Sequence, residues 1–249
     1  MSDVPTAAVL VIGDEILSGR TQDTNTNTIA KFLAALGIDL KEARVVPDAE
    51  AEIVAALNAL RARYTYVFTT GGIGPTHDDI TADAVAKAFG VGIDYHPEAL
   101  KLMAPRYKPG EFNEMRKRMA RTPDGASLIL NSVSAAPGFQ IGNVFVMAGV
   151  PMIMRAMLED VAPRLAKGAV VVSATVAAAL PEGRIAAPLK AIQDAHKTVA
   201  IGSYPYYGEG GFGVHLVVRG RDAGEVEAAA AAIEAMVAAE GALPARVQT

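Results

Sequence analysis

The stretch TTGGIGPTHDD, Thr69 to Asp79, sets three glycines beside two adjacent carboxylates. Glycines allow backbone N–H groups to approach a ligand closely, and a helix that follows adds the positive end of its dipole. Gly71, Gly72 and Gly74 therefore read as an anion cradle, and phosphate is the anion such cradles take. Asp78 and Asp79 would repel that phosphate. Further acids stand at Asp14-Glu15, after Gly13, and at Asp48, after Pro47. The repulsion disappears if a divalent cation joins carboxylates to phosphoryl oxygens, the ligands that Mg²⁺ prefers. A metal-bound phosphate or diphosphate would account for both halves of the motif.

Each acid also has a plainer explanation. Asp78, Asp79 and Asp48 each stand just ahead of a helical pattern, where aspartate caps free amides and meets the dipole favourably. Asp14 and Glu15 fit a solvated loop, and His77 reads as solvated. The loop is not a Walker A sequence, because no Lys-Ser/Thr follows, and it lacks the third glycine of a dinucleotide fingerprint. Convergence separates the two readings. Acids at three strand ends would meet on one rim only if the strands run parallel in one sheet, where ligands sit beyond the carboxyl ends.

The surrounding pattern predicts such a sheet. AAVLVI (7–12) is a buried strand stopped by Gly13, and NTNTIAKFLAALG carries Ile29, Phe32, Leu33 and Leu36 on one helical face. IDLKEARVV, AEAEIVAALNALRARY, TYVFTT and DITADAVAKAFG continue as strand, helix, strand and helix. That order implies an α/β three-layer sandwich with a mostly parallel sheet. Residues 96–125 are punctuated by proline and charge. VFVMAG then restores a strand, and Pro151 opens a helix at an acceptable first-turn position. Past residue 167 the order becomes βαββα, a small α+β domain, so the expected division is 1–167 and 168–249.

Composition narrows the function. With 23 Lys+Arg against 27 Asp+Glu the formal net charge is −4, which argues against nucleic acid as a partner. The absence of cysteine excludes disulfides and thiolate chemistry and fits a cytoplasmic protein. The N-terminus reads as a first strand and not a signal peptide. AVVVSATVAAAL, the nearest approach to a membrane span, is too short to cross one.

IGDEILSG, NTN (25–27), VVPD, TTGGIGPTHDDIT, NSVSAAPGF and AGVP occur in the order seen in the MogA/MoaB-like molybdopterin-binding family. GPTHDDIT and APGF are most similar to the CinA N-terminal subgroup and to the hydrolase half of some eukaryotic FAD synthases. IGSYP resembles a motif of the small, KH-like domain that follows in CinA proteins. The resemblance implies a homo-oligomer, dimer or trimer. It implies either molybdopterin binding or a metal-dependent pyrophosphatase acting on ADP-ribose or an FAD-like dinucleotide. Asp48 and Asp79 match the family's two important aspartates and become the expected metal ligands, with Asp14 and Asp78 beside them as catalytic groups. Gly13, Glu15, Asn27, Thr76, Gly138, Gly149 and Pro151 join the three loop glycines as expected substrate contacts. Two positions depart from the pattern. Met147-Ala148-Gly149 stands where relatives commonly read leucine-proline-glycine, and Ile153-Met154 where the subgroup often carries Glu-Met. Both keep open a protein that binds pterin or nucleotide without turnover.

Other features read as structural. Asn25 is expected to cap the first helix. Arg116, Lys117, Arg118 and Arg121 are expected on a solvated helix face, with reach to a terminal phosphate as the other reading. Gly208 to Gly211 is expected to be a hairpin turn, and Tyr206 and Tyr207 half-buried strand aromatics.

Overall fold

The computed structural model describes residues 4–208 and 211–247. The chain divides into two compact units, Met1–Gly168 and Ala169–Thr249. The first unit opens β1 (Thr6–Ile12), α1 (Asp14–Leu17), α2 (Asn25–Ala35), β2 (Asp39–Val46), α3 (Glu50–Arg63), β3 (Tyr66–Thr70) and α4 (Thr81–Phe89). It continues through β4 (Ile93–Tyr95), α5 (Pro97–Met103), α6 (Glu114–Lys117), β5 (Arg121–Pro123), β6 (Ser127–Ile129), β7 (Gly138–Ile141), β8 (Val144–Met147) and α7 (Pro151–Val161).

Six strands form one sheet in the order β2-β1-β3-β8-β7-β6. β1 runs parallel to β2 and β3, and β3 parallel to β8. The edge reverses: β6 and β7 pair antiparallel, as do β7 and β8. β1 is apolar throughout because both its faces are covered, as in parallel sheets generally. Ala8, Leu10 and Ile12 pack with Ile53, Leu57 and Leu60 of α3 and with Ala84 and Val85 of α4. Ala7, Val9 and Val11 face Ile29 and Leu33 of α2 and Met154, Met157 and Val161 of α7. On that second face the Phe68 and Phe145 rings stack at 5.2 Å. The result is a three-layer α/β sandwich whose four parallel strands point their carboxyl ends to one rim.

The second unit contains β9 (Val172–Ala178), α8 (Glu182–Ala195), β10 (Ala200–Gly208), β11 (Gly211–Gly220), α9 (Ala223–Ala239) and β12 (Ala245–Val247). Its sheet, β10-β11-β9-β12, is antiparallel. β12 lies beyond the expected βαββα; its three residues are all exposed, so no apolar pattern announced it. Asp222 caps α9, its carboxylate accepting from Glu225 N at 3.0 Å. Gly208 pairs with Gly211 across β10 and β11, and Glu209 and Gly210 of the expected turn lie outside the described residues. The tyrosines differ from expectation: Tyr207 is 86% exposed, while Tyr206, also exposed, leans on His215 with ring centroids 4.7 Å apart. No helix among the described residues is long and apolar enough to cross a membrane.

Candidate functional site

Three strand ends meet where no side chain fits. Gly71 follows β3 with φ +102°, and a Cβ there would lie 2.1 Å from the carbonyl oxygen of Ile12 at the end of β1. A Cβ on Gly149, after β8, would lie 3.2 Å from Gly71 Cα. Gly72 has φ +65°, a left-handed conformation open to glycine, and a Cβ would strike Thr81 Oγ1 at 2.2 Å. Thr81 then locks the loop to the start of α4. Its hydroxyl donates to Gly71 O at 3.1 Å, and its amide donates to Gly72 O at 3.0 Å.

This folding spends some amides and frees others. Gly71 N donates to Met147 O at 3.3 Å, so Gly71 serves the sheet and not a ligand. The amides of Gly72, Ile73 and Gly74 have no hydrogen-bond partner among the described residues. Successive unpaired N–H groups around a positive-φ residue form a concave anion nest. The expected cradle is thus Gly72 to Gly74, one residue shorter than the glycine run.

The carboxylates gather beside it. Asp48 Oδ2 accepts from Asp14 N at 3.0 Å, and Asp48 Oδ1 lies 3.6 Å from where a Gly72 Cβ would be. Burial raises the Asp48 carboxyl above its usual value. The Asp14 amide opposes that shift, and the negative charges of Glu15, Asp14 and Asp78 add to it. Asp48 therefore feels three other acids, and no cation is among the charges that act on it. Glu15 folds back over Gly13, its oxygens 2.6 Å from a hypothetical Cβ there. Asp79 is engaged separately: Oδ2 accepts from Thr76 N at 2.8 Å and from Thr76 Oγ1 at 2.6 Å.

The capping explanations do not survive this geometry. The N-cap residues of α3 and α4 are Ala49 and Ile80, and neither helix start has a side-chain cap. Asp48 reaches across to the first loop, and Asp79 closes a turn on Thr76. Asn25 is not a cap either. Asp23 Oδ1 accepts from the amides of Asn25 and Thr26 at 2.9 and 3.2 Å. Asn25 is buried, and its Nδ2 donates to Gly149 O at 2.7 Å. Asn27 is exposed on α2, and His77 is exposed. Gly138 is also corrected. It is buried inside β7, where a Cβ would lie 2.3 Å from Val146 O, so it meets a packing demand. Gly149 and Pro151 remain exposed at the rim.

The charged run splits in two. Lys117 pairs with Glu114 at 2.7 Å, and Arg116 lies over Tyr107 at 4.6 Å. Arg118 and Arg121 instead turn inward and line a cleft with Gly72, Gly74, Asp79 and Phe139. Arg121 holds Asp83 through both carboxylate oxygens, at 3.1 and 2.7 Å. This cleft encloses about 20 Å³, enough for one water-sized group. A second cleft of about 90 Å³ opens on the other side of Gly71, bordered by Glu15, Thr21, Asn25 and Gly149. Sequence reasoning missed Asp83. Its place in the first turn of α4, four residues past Asp79, was the available signal.

Among the described residues, no three His, Cys, Asp or Glu side chains converge as a metal cage. The donor set nevertheless fits a hard divalent ion. Mg²⁺ takes one or two carboxylates and completes its shell with water and phosphate oxygens, and the unanswered charge around Asp48 is of the right sign.

Residues 8–167 match the family model for a probable molybdopterin binding domain, and residues 170–246 match that for the middle domain of FAD synthase. A protein of Aeropyrum pernix is 36% identical over 219 residues, covering 82% of this chain and 81% of its own. A CinA-like protein of Citrifermentans bemidjiense is 42% identical over 160 residues, or 61% of this chain, which spans only 38% of that relative. The crystal structure of the protein CinA from Thermoplasma acidophilum superposes with a TM-score of 0.62 at 33% identity, covering 66% of this chain and 99% of that one.

Proposed function

Starting from the fact that this chain belongs to the family of probable molybdopterin-binding domains, we propose that it is a divalent-metal-dependent pyrophosphatase. It would cleave ADP-ribose, or a related dinucleotide such as FAD, to AMP and a phosphorylated product. One observation carries the reading: three consecutive unspent amides, Gly72 to Gly74, lie beside Asp48, a carboxylate on which the negative charges of Glu15, Asp14 and Asp78 act. A pyrophosphate with its counter-ion satisfies both groups at once.

Asp48 would hold the ion, with Asp79 reaching from the far end of the loop. When bound, the ion supplies charge neutralisation at the phosphoryl oxygens and favours an ionised water. The Gly72, Ile73 and Gly74 amides receive the phosphoryl oxygens and stabilise charge that grows in the transition state. Asp14, whose amide donates to Asp48, or Asp78, whose charge acts on Asp48, orients a water in line with one phosphorus; both are exposed. The water oxygen bonds to that phosphorus, the bridging P–O bond breaks, and the departing phosphate carries the electron pair. From ADP-ribose the products are AMP and ribose 5-phosphate. The family relation also suggests a homo-oligomer.

A second reading is a domain that holds molybdopterin or a nucleotide without turnover. It is favoured by Ile153, which packs against the core between α2 and α7 where the CinA subgroup often has a glutamate. Incubation with ADP-ribose or FAD and Mg²⁺, followed by chromatography for AMP, separates the two. Metal-dependent AMP release supports the pyrophosphatase. Tight pterin binding with no AMP supports the binding protein.

A further inference from the structure

We propose that Arg118 is the anion receptor of the cleft and that the Arg121–Asp83 pair exists to keep it free. Arg118 sits on the short 3₁₀ turn after α6, with about a third of its side chain exposed. Its contacts are long: Nη2 to Asp79 O at 3.3 Å and to Asp83 Oδ2 at 3.5 Å. Asp83 is the carboxylate that would otherwise capture it. Arg121 occupies both Asp83 oxygens in a fork, at 2.7 and 3.1 Å, the geometry in which arginine binds carboxylate best. With Asp83 answered, Arg118 keeps most of its five donors unspent beside the free amides of Gly72 and Gly74. A planar guanidinium next to an amide nest recognises a phosphoryl group, and the small enclosed volume of the cleft suits one phosphoryl oxygen.

The ligand class is therefore a diphosphate, one phosphoryl group lying toward Arg118 and the other toward the rim at Asp48, which would hold the ion. This rests on the proposal that the loop binds a diphosphate, and not on turnover.

The test is calorimetric titration of the full-length protein with inorganic pyrophosphate in the presence of Mg²⁺. Arg118→Ala is expected to weaken binding at least tenfold. Arg118→Lys should fall between the two, because it restores charge without the fork. Arg121→Ala should also weaken binding, since Asp83 then draws Arg118 away, and Asp83→Asn should bind no more weakly than wild type. Unfolding temperatures of all four variants establish that they are folded. Binding by Arg118→Ala within twofold of wild type overturns the inference and leaves the diphosphate reading standing. No binding of pyrophosphate by the wild-type protein overturns both. Arg118-dependent binding with no AMP released from ADP-ribose keeps the inference and removes the pyrophosphatase.

Discussion

Replacing Gly74 with alanine tests how the loop and Asp79 depend on each other. The new Cβ would lie 2.6 Å from Asp79 Oδ2, and Gly74 lies outside the left-handed region, so the backbone itself accepts alanine. Relief requires the Asp79 carboxylate to leave Thr76 N and Thr76 Oγ1. Hydrogen bonds to a charged group are worth about 1.5–3 kcal/mol each. These two lie in an exposed turn where water replaces much of that, so the net loss should be about 1–2 kcal/mol. For a unit of this size that lowers Tm by about 2–8 °C. In an Asp79→Ala background there is no carboxylate to displace. There, Gly74→Ala should be neutral or stabilising by about 0.4–1 kcal/mol, through reduced freedom of the unfolded chain. The sign of the Gly74→Ala effect therefore reverses between backgrounds. Calorimetry of the wild type, both single variants and the double variant reads this coupling directly. An equal loss from Gly74→Ala with and without Asp79 would refute the steric link.

Two other perturbations probe the rim. Asp48 has a raised pKa, so the folded state holds its proton more tightly than the unfolded state does. Stability from this group is present in acid and lost as pH rises through the folded value. Asp48→Asn is thus expected to raise Tm at neutral pH, with the gain fading as pH falls through the raised folded value and gone below the ordinary 3.8; a Tm series against pH checks the sign. The same variant should lose the Mg²⁺-induced rise in Tm expected of the wild type, which binding at 100 times Kd would set near 2.7 kcal/mol. Asn25→Ala should cost about 0.5–1.5 kcal/mol for its bond to Gly149 O. Asn25→Asp should cost more, since it presents an acceptor to an acceptor in a buried place; urea unfolding ranks the pair.

Much of the first unit was legible because its signals are local. β1 is almost wholly apolar, β3 is buried on both faces, and the glycine loop follows directly from β3. What stayed hidden depends on long-range partners or on very short elements. α1 has four residues, too few for helical periodicity to register. The antiparallel edge of β6 and β7 comes from three- and four-residue strands. Asp48 carried a capping alternative because its true contact, the Asp14 amide, lies 34 positions away. The turned-in Arg121 finds Asp83 at a separation of 38, and charge spacing along a chain carries no trace of that. Asn25 was misassigned for the same reason, since Asp23 took over the capping.

The bond between Asn25 and Gly149 spans 124 positions. A chain leaving the ribosome at about 5–20 residues per second exposes Asn25 roughly 6–25 s before that partner exists. β1, β2 and β3 can pair meanwhile, but β8 must still slot in alongside β3 to bring the Gly149 carbonyl to Asn25. The cleft bordered by Asn25 and Gly149 is thus completed only once β8 is made, and a nascent chain stalled before β8 would carry the whole TTGGIGPTHDD motif without that cleft beside it.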